Sequence, residues 1–104
     1  MIVDPDAERR RAAAAALGEF VSTIELAAGL SEALPSVVGR RVSLALIHRS
    51  IGEADCLSLL RCLRAEGGTD AAFVLVRGAL SSEEQIRFRE AGADDVEHAA
   101  FDPT

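Results

Sequence analysis

The chain has 104 residues and a formal net charge of −6, with 17 acidic residues set against 11 basic ones, all of them arginine. That length supports one domain, residues 1–104, burying roughly 65% of its unfolded surface without needing metal or disulfide staples. The acidic balance and the absence of Trp and Tyr argue against a nucleic acid or an anionic membrane as partner, and the absence of Lys excludes any mechanism that needs a lysine ammonium.

No apolar run reaches the roughly 18 residues of a membrane span, and Met1-Ile2-Val3-Asp4-Pro5-Asp6 has neither the basic nor the apolar region of a secretion signal. A cytoplasmic protein is expected. The elements begin with a stub of strand at Ile2-Val3-Asp4, after which Pro5 and Asp6 form a turn that caps a helix from Ala7 to about Leu17. Gly18 ends that helix. Phe20 to Leu26, β-branched at Val21, Thr23 and Ile24, reads as a second strand, and Gly29 to Leu34 as a short helix closed by Pro35.

Val42 to Ile47 is nearly all apolar, as a strand buried on both faces should be. It leads into His48. From Ala54 to Ala65, Cys56, Leu57, Leu59, Leu60 and Leu63 recur at helical spacing, with Glu66-Gly67-Gly68 as the stop. Cys56 and Cys62 point to different sides of this helix, so they cannot bridge each other and read as small core residues rather than metal ligands.

Ala71 to Val76 is a further apolar strand ending at Arg77. Ser81 and Ser82, each followed three residues later by Glu84 or Gln85, give two overlapping capping boxes for a helix that runs to about Glu90 and stops at Gly92. Val96 to His98 is the last short strand. Strands alternating with helices predict a doubly wound α/β parallel sheet whose sites lie beyond the carboxyl ends of the strands, where Asp4, His48 and Arg77 fall.

With these elements in place, the chain resembles the receiver domain of two-component signalling from Ile2 to Phe101. Ile2-Val3-Asp4-Pro5-Asp6 looks like the acidic motif of the first strand, and Ser43 to Leu63 follows the strand, loop and helix around the phosphoacceptor. Ala91-Gly92-Ala93-Asp94-Asp95 is the clearest match, preceded at the family's spacing by Phe73-Val74-Leu75-Val76 and followed by Phe101-Asp102-Pro103. The resemblance implies a flavodoxin-like five-stranded sheet with helices on both faces, here with a shortened first strand and without the last helix. Asp102-Pro103-Thr104 looks like the cap of that helix, so the segment reads as a piece of a longer polypeptide with an apolar face left for a partner.

The departures fall where the family does its chemistry. Matched position by position, the phosphoacceptor aspartate is His48, the loop proline Gly52, the hydroxyl residue of strand 4 Arg77, the strand-5 lysine Ala99, the proline after it Ala100 and the aromatic switch Val96. Of the acidic pair that helps hold magnesium, Asp4 remains beside Pro5. Aspartyl phosphorylation needs a carboxylate nucleophile, a divalent cation on oxygen ligands and an opposing cation. An imidazole adds no charge and is a poor ligand for a hard cation. The expectation is a pseudo-receiver with no catalytic residue, no metal and no cofactor.

Within it, Asp4, Asp6 and Arg77 are expected to form a degenerate acidic pocket beside His48, with the Arg77 guanidinium pairing the two aspartates. Glu84, Arg87 and Val96 are expected on an interaction surface formed by the helix from Ser82 to Glu90 and the following strand. The expected partners are a kinase core or second receiver of a hybrid histidine kinase, within a phosphorelay, or a second copy of the chain.

The alternative is a sensor of an anionic second messenger such as cyclic di-GMP, held by Arg77 with help from Arg9-Arg10-Arg11 and Arg40-Arg41. Helical spacing spreads the first three around their helix, and no glycine-rich phosphate loop follows the first strand. An active phosphoacceptor using Asp55 or Asp6 is the least favoured reading. His98 reads as surface polar decoration.

Overall fold

The computed structural model describes residues 1–18, 24–39, 42–65 and 73–98. Five strands and four helices alternate: β1 (Ile2–Val3), α1 (Ala7–Leu17), β2 (Leu26–Ala27), α2 (Leu30–Gly39), β3 (Leu44–His48), a 3₁₀ turn (Arg49–Ile51), α3 (Glu53–Ala65), β4 (Phe73–Leu80), α4 (Ser82–Ala91) and β5 (Asp95–His98). All pairings are parallel, in the order β2-β1-β3-β4-β5. This is the flavodoxin-like doubly wound order, whose switch point lies between β1 and β3.

Register carries the core across the sheet. Ala27, Val3, Ile47, Val76 and Val96 are successive partners from β2 to β5, and each is buried. Their side chains join Ala33 and Val37 of α2, Cys56, Leu59, Leu60 and Leu63 of α3, and Phe88 of α4 in one cluster. Because strand side chains alternate, Ile2, Asp4, Leu46, His48 and Arg77 look to the opposite face, where Ala13 of α1 meets them. On that face Phe73 stays 48% exposed.

Helix ends follow their chemistry. Asp6 accepts the N–H groups of Glu8 and Arg9 at the start of α1. Of the two capping boxes written before α4, the structure uses Ser81 with Glu84. After α4, Gly92 turns at φ +123°, and a Cβ there would lie 2.8 Å from Arg64 Cγ. Asp94 then accepts the Val74 N–H and the Arg64 guanidinium, each at 2.7 Å, which ties the loop to the start of β4. The Gly92 to Asp94 stretch is therefore built for the fold, not for chemistry.

Three elements depart clearly from the sequence reading. Pro35 lies inside α2, which runs on to Gly39. A helical proline forfeits one backbone bond, but Pro35 is exposed while Ala33 and Val37 on the inner side are fully buried, so packing holds the helix through it. Among the described residues the second strand is Leu26–Ala27, and Phe20 with its neighbours lies outside them. β4 continues past Arg77 to Leu80, with its register to β5 shifting between Val76 and Leu80. Gly78, at φ +112°, sits in that irregular stretch. The expectations for Arg40, Arg41, Ala99, Ala100, the Phe101 stretch and the final helix fall outside the described residues, as does the His98 side chain.

Candidate functional site

The carboxyl ends of β1 and β3 bring Asp4 and His48 together, with Arg77 as the direct register partner of His48 on β4. Asp4 is the one buried charged residue among the described residues, 5% exposed. Its Oδ1 accepts the Asp6 N–H at 2.9 Å and Arg9 Nη2 at 2.8 Å, and its Oδ2 accepts Arg9 Nε at 2.8 Å. Arg10 Nη1 donates to the Asp4 carbonyl at 2.6 Å. Burial on its own would push the Asp4 carboxyl up, but the Arg9 and Asp6 hydrogen bonds outweigh it and hold the group below its ordinary range.

The cation on Asp4 is thus Arg9, not Arg77. β3 separates β1 from β4, which sets the Asp4 and Arg77 backbones about 10 Å apart across two strand spacings. Arg9 comes instead from the first turn of α1, which Asp6 starts beside the end of β1. Asp6 itself lies 3.7 Å from Arg9 and serves as the N-cap. Arg77 is exposed at the rim of a cavity of about 10 Å³ lined also by Asp4, His48, Leu46 and Ala13.

His48 caps the 3₁₀ turn that follows it. Its Nδ1 accepts the Ser50 N–H at 3.2 Å and lies 2.8 Å from Ser50 Oγ. A backbone N–H can only donate, so Nδ1 carries no proton and Nε2 does. Ser50 Oγ in turn accepts Arg9 Nη2 at 3.1 Å, and that same nitrogen is 3.5 Å from Nδ1. The polarity is fixed from end to end: Arg9 donates to Asp4 and Ser50, and Ser50 donates to His48. Burial lowers the His48 pKa, as do the charges of Arg9 and Arg77, against Asp4 and Glu97. The imidazole is neutral at neutral pH.

No protein-family model matches the chain, and no curated protein matches it. Solved structures do. A response regulator from Burkholderia pseudomallei, bearing a phosphorylated aspartic acid, a calcium ion and citrate, superposes with a TM-score of 0.78 at 20% identity, covering 91% of this chain and 55% of that one. A response regulator from Thermotoga maritima gives 0.75 at 24% identity, over 98% of this chain and 84% of that one. The signal receiver domain of a response regulator from Bermanella marisrubri gives 0.63 at 24%, over 97% and 84%. The chain has the receiver fold. It spans about half of the Burkholderia protein.

A divalent cation is implied by the receiver fold, and the residues present do not fit one. Both Asp4 oxygens are bonded to Arg9, Pro5 stands where a second carboxylate would be, and His48 Nδ1 is committed to Ser50. Among the described residues no group of three or more His, Cys, Asp and Glu side chains is placed to hold a metal. Asp55 lies in the first turn of α3 and does not line the pocket. Burial pushes the Cys56 thiol up to about 12, which removes it as a nucleophile.

On the expected interaction surface, Arg87 is exposed and pairs with Glu53 and Glu83. Glu84 is largely covered, with Arg49 Nη2 on its Oε2 at 2.6 Å. Val96 does not belong to the surface, being 3% exposed in the core row shared with Val76. Its alternation partner Glu97 faces out, and a valine on the inner face of a parallel sheet has no reason to leave it.

The pairing of Arg9 with Asp4 and the part played by Ser50 escaped the sequence reading, which had Arg9 only as a candidate anion-holding residue, although a signal existed for each. Arg9 stands three residues after an N-cap aspartate and five after the strand-end Asp4, a position that turns it back toward the strand. Ser50, two residues after a strand-end histidine, is spaced for a local cap.

Proposed function

We propose that this chain is a receiver-like regulatory module of bacterial two-component signalling that is not phosphorylated and works by docking to a protein. The observation that carries the reading is the clasp of Asp4 by Arg9. Phosphoryl transfer to a receiver needs a carboxylate at the end of β3 and a cation held by oxygen ligands beside it. Here the end of β3 bears a neutral imidazole, and an internal guanidinium takes the place of the cation. A fixed positive charge holds one state of the pocket, where a phosphoryl group and its metal would switch between two. No catalysis is assigned to the chain, and a hybrid kinase or phosphorelay is the expected setting.

Docking is assigned to the outer surface of α4. Arg87 and Ile86 are exposed there, Ile86 at 58%. The expected partner is a kinase core, a second receiver or another copy of the chain. The cyclic dinucleotide alternative has less support, since the cavity at Arg77 is about 10 Å³, the room of roughly one water. The test is incubation with magnesium and acetyl phosphate followed by intact mass measurement. An unchanged mass supports the reading; a gain of one phosphoryl group that is lost in Asp6→Asn or Asp55→Asn overturns it.

A further inference from the structure

We propose that Arg49 is a positioning residue coupling the Asp4–His48 pocket to the N-terminus of α4, so that a change in the pocket is felt at α4. This deepens the docking reading and rests on it for the use made of the coupling, while the coupling itself rests on geometry alone.

Arg49 is the first residue of the 3₁₀ turn that His48 caps through the Ser50 N–H. Its guanidinium leaves the pocket and meets Glu84, with Nη2 at 2.6 Å and Nε at 3.1 Å from the same Oε2. The other oxygen of Glu84 accepts the Ser81 N–H at 3.1 Å, and the Glu84 N–H donates to Ser81 Oγ at 3.2 Å. One carboxylate therefore belongs both to the cap of α4 and to the turn of the pocket. The Glu84 side chain is 13% exposed, so water competes little for it.

Gly78 makes the passage possible. A Cβ at this position would stand 2.8 Å from Arg49 Cγ and 3.3 Å from His48 Cε1. The Arg49 stem and the His48 ring thus lie over one bare patch of β4, in contact range of the same backbone. The path is continuous: Asp4 to Arg9, Arg9 to Ser50, Ser50 to His48, and through the shared turn from Arg49 to Glu84 and Ser81. A contiguous chain of packed side chains and hydrogen bonds of this kind is what carries energetic coupling from one site to another.

The test uses amide NMR on the 104-residue chain. Ser50→Ala perturbs the pocket from an exposed position and is made in the wild-type and Glu84→Gln backgrounds. The amide side chain of the second background keeps the capping-box acceptor but removes the charge that holds Arg49. The expected result is that Ser50→Ala shifts the amides of Ser82 to Gln85 in the wild type, and that these shifts are lost in the Glu84→Gln background while those at His48 and Ile51 persist. Arg49→Ala gives the same loss, and Arg49→Lys restores part of the response. Equal α4 shifts in all backgrounds, or none in the wild type, overturn the coupling. A response to beryllofluoride in the same samples would end the docking reading and leave the coupling standing; absence of α4 shifts from Ser50→Ala in the wild type, or equal shifts in every background, would do the reverse.

Discussion

The Arg9 guanidinium meets the Asp4 carboxylate edge to edge, Nε on Oδ2 and Nη2 on Oδ1, each at 2.8 Å. Paired bonds of this kind fix direction as well as charge. Removing the guanidinium leaves a buried carboxylate with only the Asp6 N–H, and burial, which raises its pKa, then acts against weaker opposition. Arg9→Ala is expected to raise the Asp4 pKa and lower the melting temperature, read by carboxyl ¹³C titration and thermal unfolding. Arg9→Lys recovers only part of either, because an ammonium cannot bridge two oxygens in one plane.

Two groups of the pocket, His48 and Asp4, should each lower stability as pH drops. The folded protein lowers the His48 pKa below its ordinary 6.5, chiefly through burial, so the unfolded chain takes up that proton first. The His48 contribution is then full above about 6.5 and declines below it, until the folded histidine also protonates. Asp4, held below its ordinary 3.8, gives a contribution present above that value and lost as pH falls through the folded one. Urea midpoints from pH 8 to 3 should show both declines, and His48→Gln should remove the upper one alone.

The choice between the two capping boxes is measurable. Ser81→Ala should cost about 1 kcal/mol, because Ser81 Oγ accepts the Glu84 N–H. Ser82→Ala should change stability by less than about 0.5 kcal/mol, that serine being the first exposed residue of the helix itself. Urea unfolding of the two variants settles the order.

Helix α4 presents two faces of unequal weight. Phe88 is fully buried and Ile86 is 58% exposed. Phe88→Ala should cost about 3–5 kcal/mol, a large part of a domain's total of about 5–15 kcal/mol. Ile86→Ala should lie within about 0.5 kcal/mol of the parent. If α4 is the docking face, Ile86→Ala weakens capture of the partner without weakening the fold.

What was legible in the sequence was what period and local chemistry encode. The apolar runs of β3 and β4, the Asp6 cap, the Ser81–Glu84 box and the Gly92 stop all rest on neighbours within a few residues. The site was half legible. Asp4, His48 and Arg77 could be placed at strand ends because the order of elements sets them there. Which cation reaches Asp4 depends on the angle at which α1 leaves β1 and on β3 standing between β1 and β4, and neither is written in spacing. The Arg49–Glu84 bond joins residues 35 apart through a gap that only a glycine leaves open, so no local pattern announces it. Val96 was misplaced because a family position was read as a surface, whereas its register with Val76 puts it in the core.

The central claim, that this receiver fold carries no working phosphoryl pocket, is tested most directly by titrating the chain with magnesium and beryllofluoride while following amide resonances. The account predicts no saturable shift at Asp4, His48 or Arg77, since Arg9 holds both Asp4 oxygens and position 48 offers no carboxylate. Saturable shifts at those three residues would contradict it.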